Sequence, residues 1–286
     1  MNQKFQSIKN AGIIGMIGNI FLLIIKGAIG FASHSQSMIA DSFNSASDIL
    51  ASLMTFIGNK IASEPEDQNH NFGHGKAEYL FSLFISITML IFSLKLFLDS
   101  LLTLIHKNTF TFSWILVIVC IITIITKFIL YRYTKKLYQK YNSILLQSAY
   151  KDHRNDCVVT TFTLISIILG NFGIFYFDGI IGTAISIWIF WSGFSIFMES
   201  YNVLMDVSLD EATKNHILEL VKEHDKIKDV SDLYATPIGY HYVVILTIFV
   251  DGTMNTFDSH HLADHLEKDI VSLEKVTKAI IHVNPI

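Results

Sequence analysis

The chain has 286 residues, 51% of them hydrophobic, with a mean hydropathy of +0.44 and a formal net charge of −4. That is too apolar for an ordinary soluble domain of this length, and the lack of a basic excess argues against nucleic acid as a partner. The two cysteines, Cys120 and Cys157, both fall in apolar runs and read as buried thiols, not as a disulfide framework.

Residues 1–10 are polar and carry Lys4 and Lys9. The apolar run that follows is long and ends without a small-residue cleavage pattern, so it reads as a first membrane span and not a signal peptide. Six stretches reach the roughly 20 residues a bilayer-spanning helix needs. They run approximately over residues 11–31, 37–61, 77–101, 113–137, 144–170 and 179–204. A longer polar loop covers 62–76, and a basic one 133–142. Lys4, Lys9, Lys60, Lys76, Arg132, Lys135, Lys136 and Lys140 fall on one side, while the opposite loops offer little beyond Lys107. This bias places both termini in the cytoplasm. Lys26, Lys95 and Lys127 lie within spans, where snorkelling or a structural ion pair is the plain reading.

After Asp206 charged residues become frequent and no stretch could span a bilayer. A helix is expected over 210–224, strands over 230–236 and 240–250 around a Pro237–Gly239 turn, a second helix over 256–272 and a last strand over 276–283. The order αββαβ suggests a compact antiparallel sheet with helices on one face. The expected architecture is an α-helical membrane protein with six transmembrane helices over 1–206 and a small cytoplasmic α+β domain over 207–286.

Two polar pairs interrupt the apolar spans: Asn44 with Asp48, and Asp152 with Asp156. Each has i,i+4 spacing, so its members share one helical face, and Asp41 extends the first stripe. A carboxylate in a bilayer is costly, hence rare and usually functional. If the second and fifth spans pack together, three carboxylates and one amide oxygen converge, a suitable cage for a hard divalent cation. Carboxylates so close repel one another until a cation or protons neutralise them, which is the physics a metal–proton exchanger needs. Helix capping or interhelical hydrogen bonding is the competing explanation for such residues. His153 lies about 100° around the helix from Asp152. With Cys157 it offers a softer, zinc-suited register that would leave the aspartates unexplained. In the loop between the second and third spans, Asp67, His70 and His74 could hold a metal at the membrane surface.

The run His-Asn-Phe-Gly-His-Gly-Lys within residues 67–78, together with the two intramembrane pairs, resembles the cation diffusion facilitator family of divalent-metal/proton antiporters. The resemblance covers nearly the whole chain. It implies a homodimer in the plasma or inner membrane with a metallochaperone-like cytoplasmic domain and export by alternating access. It also implies a transport site at Asn44, Asp48, Asp152 and Asp156, a loop site at Asp67, His70 and His74, and an ion pair of Lys76 with Asp206. Zinc-transporting members typically carry histidine in the transport set, often at the place of Asp152, and this chain resembles the manganese-exporting branch. Carboxylate and carbonyl oxygens suit Mn²⁺, whereas imidazole or thiolate suits Zn²⁺. Fe²⁺, Co²⁺ and Cd²⁺ remain open as cargo. In the tail, the family's binuclear positions read Ser231, Thr247, His260, His282 and Asn284, which leaves His260 and His282 for one weaker ion. No enzyme activity and no resident cofactor are expected, the divalent cation being cargo. A zinc or broad-range exporter and a non-transporting membrane metal sensor are the alternatives.

Overall fold

A computed structural model describes residues 2–32, 36–105, 114–171 and 176–286, with side chains left undescribed at 2, 30–44, 46–47, 103–105, 166–167, 170–171, 176–179 and 181. Six long helices come first: α1 (Asn2–Ala32), α2 (Gln36–Ala62), α3 (Ala77–Ile105), α4 (Trp114–Tyr141), α5 (Ile144–Asn171) and α6 (Tyr176–Leu204). Then follow α7 (Glu211–Lys222), β1 (Ile227–Ile238), β2 (His241–Val250), α8 (Thr256–Val271) and β3 (Val276–Pro285). The chain divides into two compact units, Met1–Glu64 with Ala77–Tyr201, and Pro65–Lys76 with Asn202–Ile286. The loop 65–76, which chain order assigns to the first expected domain (1–206), thus groups with the C-terminal residues.

In the helical unit α1 packs along α2 and α4 along α5, with α3 against α2 and α5 and a smaller contact between α2 and α5. Close approach of α1 and α2 depends on Gly12, where a Cβ would meet the carbonyl oxygen of Ser52 at 3.2 Å and the amide nitrogen of Phe56 at 3.1 Å. Polar bonds also tie the helices together. Asn19 Nδ2 donates to Ser52 Oγ at 3.2 Å, and Asn59 Nδ2 donates to the Phe5 carbonyl at 2.8 Å. The outer faces carry exposed Ile17, Ile24, Ile91, Leu94, Ile129 and Trp191, as a lipid-facing surface requires. Among the described residues, Gln3–Ile29, Ala77–Leu102 and Trp114–Tyr141 are long and apolar enough to cross a membrane by length and composition alone. The helices α2 and α5 are diluted by polar residues, including Ser45, Asp48 and Ser52 on one and Lys151, Asp152, Arg154 and Asp156 on the other.

The C-terminal unit is a three-stranded sheet in the order β1-β2-β3. The expected antiparallel sheet is in fact mixed: β1 and β2 pair antiparallel, but β3 runs parallel to β2. The helix α8 carries the chain back across the sheet, which is the crossover that parallel neighbours require. Val244, Leu246, Ile248 and Val250 alternate along β2 onto one face, where they join Ile217 and Val221 of α7 and Leu266 and Ile270 of α8 in the core. Gly239 opens the two-residue β1–β2 turn with φ +65°, a conformation glycine adopts without strain. A Cβ there would lie 3.2 Å from the backbone of Gly75, which accounts for the loop's membership of this unit.

Asp210 caps α7: its Oδ1 accepts from Thr213 N at 2.9 Å, and its Oδ2 accepts from Lys275 Nζ at 3.1 Å. The Thr213 amide first, and then the lysine, hold this carboxyl at about 2. The stabilisation is therefore complete above the unfolded value near 4 and is lost as pH falls through about 2. Asp210→Ala should cost about 1 kcal/mol at neutral pH. Amide hydrogen exchange in α7 should accelerate about fivefold in that variant, with the difference closing as pH falls from 4 toward 2.

Candidate transport site

Between α2, α4 and α5 three charges meet. Asp48 and Asp156 are almost wholly buried, with 8% and 9% of their surface exposed, and Lys127 is 1% exposed. The Lys127 ammonium donates to Asp48 Oδ2 at 2.7 Å and to Asp156 Oδ2 at 2.5 Å. Lys127 therefore does not snorkel; it is ion-paired deep in the bundle. An isolated buried carboxylate would be very costly, and this geometry compensates both at once.

Asp152 completes the group from one turn earlier on α5. The ligand atoms of Asp152, His153 and Asp156 all lie within 4.8 Å of one another. The structure thus brings together Asp48, Asp152 and Asp156. Asn44 and Asp41 lie on the same helix as Asp48, but their side chains fall outside the described residues. His153 joins the cluster although it lies about 100° around the helix from Asp152, because it stands three residues before Asp156 and so neighbours it on the helix surface. His153 is 3% exposed, its Nδ1 has no hydrogen-bond partner, and one of its ring nitrogens belongs to the cluster with the carboxylates. Cys157 does not share this cluster; its Sγ points at the Ile124 carbonyl, 3.9 Å away.

Two spaces border the site among the described residues. A cavity of about 240 Å³ opens from Asp48, Lys127 and Asp156 toward Lys26, Lys95 and Asp99, at the end of the bundle that holds the α1 C-terminus. Toward the other end, the space beside Asp152 and His153, lined by Ser52 and Thr55, amounts to about 10 Å³. That is room for one water at most.

The loop places its three predicted residues together. Asp67 Oδ1 accepts from the backbone nitrogens of Asn69 and His70 at 2.8 and 2.6 Å, and the His70 amide first of all holds its carboxyl below the usual range. His70 Nδ1 lies 3.1 Å from Asp67 Oδ1, and His74 Nε2 lies 3.6 Å from Asp67 Oδ2. His74 Nδ1 is 3.2 Å from the Pro65 carbonyl. Donation there would leave Nε2 as the nitrogen open to a ligand, the arrangement that orients metal-binding histidines in general. Lys76 Nζ meets Asp206 Oδ1 at 2.7 Å, with Asp206 in the left-handed region at φ +56° just past α6.

The C-terminal histidines are less organised. His260 and His282 are exposed, and neither belongs to a three-ligand group among the described residues. Ser231, Thr247 and His282 form one row across the three strands, so a single imidazole stands among hydroxyls there.

Comparison with known proteins accounts for both units. Residues 12–205 match the cation efflux transmembrane domain, and residues 209–286 match the cytoplasmic domain of cation efflux proteins. The uncharacterized transporter MJ0449 of Methanocaldococcus jannaschii is 31% identical over 277 residues, 95% of this chain and 96% of its own length. The manganese efflux system protein MneP of Bacillus subtilis is 26% identical over 292 residues, 99% of this chain and 98% of its own. The metal-bound C-terminal domain of the CzcD transporter from Thermotoga maritima aligns with 27% of this chain and 94% of its own, at 20% identity and a TM-score of 0.26. Two domain matches in series and full-length relatives make this chain a member of the cation efflux family, a membrane transporter and not an enzyme.

Proposed function

We propose that the protein exports divalent metal, Mn²⁺ above all, from the cytoplasm in exchange for protons. It would work as a homodimer in the plasma membrane with both termini cytoplasmic. The observation that carries this reading is the convergence of Asp48, Asp152 and Asp156 in the helical interior, beside a cavity open to one end. Hard carboxylate oxygens attract a divalent cation, and protons compete for the same oxygens. A site reached from one side at a time is what alternating access requires. The relatives named for manganese efflux support the choice of cargo. Asp67, His70 and His74 would form a second, surface-exposed metal position, and Lys76 with Asp206 would brace the C-terminal unit.

A zinc or broad-range exporter is the second reading, and the buried imidazole of His153 in the cluster with Asp152 and Asp156 is what favours it. Purified protein in liposomes, tested with Mn²⁺, Fe²⁺, Co²⁺, Cd²⁺ and Zn²⁺ separately, decides between them. The manganese reading expects Mn²⁺ transport at least tenfold above Zn²⁺; equal or faster zinc transport would overturn it.

A further inference from the structure

Lys127 is a peculiar choice of residue for a structural brace. Burying an ammonium and two carboxylates carries a desolvation cost that often exceeds the Coulombic gain, and apolar residues of similar volume hold helices together at least as well. Yet this lysine sits 1% exposed, with its charge on Asp48 of α2 and Asp156 of α5. It engages one oxygen, Oδ2, of each carboxylate, at 2.7 and 2.5 Å. On the transport-site reading these carboxylates hold the metal, and a divalent cation drawn to the same oxygens would meet the ammonium charge at contact distance. The lysine head is a compact charge on a flexible four-carbon stem, able to leave without moving its helix. The 240 Å³ cavity that Lys127 itself lines gives the displaced head room.

Resting on the transport-site reading above, we propose that Lys127 is a tethered counter-cation of the site. It competes with the metal for Asp48 and Asp156, is displaced when metal binds, and re-docks as metal leaves. An internal competitor lowers the apparent affinity in proportion to the time it occupies the ligands. It thereby favours release of the cargo, and it neutralises the two aspartates while the metal-free carrier turns around.

The test is Mn²⁺ titration by calorimetry of the full-length protein in nanodiscs at fixed pH, for the unmodified chain, Lys127→Met and Lys127→Gln, with Mn²⁺ transport in liposomes alongside. Both variants should bind Mn²⁺ at least tenfold more tightly while turning over more slowly. A lysine that only braces the fold predicts the reverse for affinity, so unchanged or weaker binding by a folded variant overturns the proposal. Should neither variant fold, reductive methylation of the unmodified protein with peptide mass spectrometry answers the same question. Lys127 should label several-fold faster with saturating Mn²⁺ than without, and equal or slower labelling overturns the proposal. Asp48→Asn and Asp156→Asn separate the two levels of inference. If these keep full Mn²⁺ binding, the transport-site reading itself fails; if they lose it while the lysine variants do not tighten, only the lysine proposal fails.

Discussion

Replacing Asp156 with asparagine should lower Mn²⁺ efflux at least a hundredfold, the largest effect expected of any single substitution in this chain. Asp156 belongs to both halves of the site: it takes the Lys127 ammonium, and it shares the 4.8 Å cluster with Asp152 and His153. Asparagine keeps the shape and one oxygen but removes the charge. A hundredfold loss corresponds to about 2.7 kcal/mol, within the range of about 2–5 kcal/mol found when one member of a buried charge pair is truncated. Lys127 keeps Asp48 as a partner at 2.7 Å, so the fold should survive, unlike a variant that strands the ammonium. Efflux in liposomes, paired with thermal unfolding of the same preparations, separates lost transport from lost structure. Efflux within threefold of the unmodified protein would contradict the assignment of Asp156.

Asp152→His is the second large effect, and it acts on selectivity. The substitution would set two imidazoles side by side, since His153 already leans toward the aspartates. Imidazole suits Zn²⁺ better than Mn²⁺, and zinc binds nitrogen ligands intrinsically more strongly than manganese does. The Zn²⁺ to Mn²⁺ transport ratio should rise at least tenfold, equivalent to about 1.4 kcal/mol of altered preference. Competition assays with both ions at equal concentration read this directly. An unchanged ratio would mean that residue 152 does not touch the cargo.

Much of the fold is readable from residue pattern because bilayer-length apolar runs and strand alternation are local signals. The six long helices and the αββαβ order follow from them. The direction of β3 does not, since it depends on where α8 packs after the chain leaves β2. The placement of loop 65–76 with the C-terminal unit rests on the contact of Gly75 with Gly239, which is distant in sequence. At the site, i,i+4 spacing exposes Asp48 and the Asp152–Asp156 pair. A lone Lys127 in an apolar span says that some partner must exist, but only tertiary packing names Asp48 and Asp156. His153 lies about 100° around the helix from Asp152, but its i,i+3 spacing to Asp156 makes it a neighbour of that carboxylate, a relation the comparison with Asp152 alone misses.

The proposed exchange of a divalent cation for protons depends on Asp48, Asp152 and Asp156. Its most direct test is proton flux in liposomes that enclose a pH-sensitive dye, with a Mn²⁺ gradient imposed and no other driving force. Mn²⁺ entry should drive protons the opposite way, and Asp156→Asn should abolish both fluxes together. Mn²⁺ movement with no accompanying proton flux, or equal flux through the Asp156→Asn protein, would contradict it.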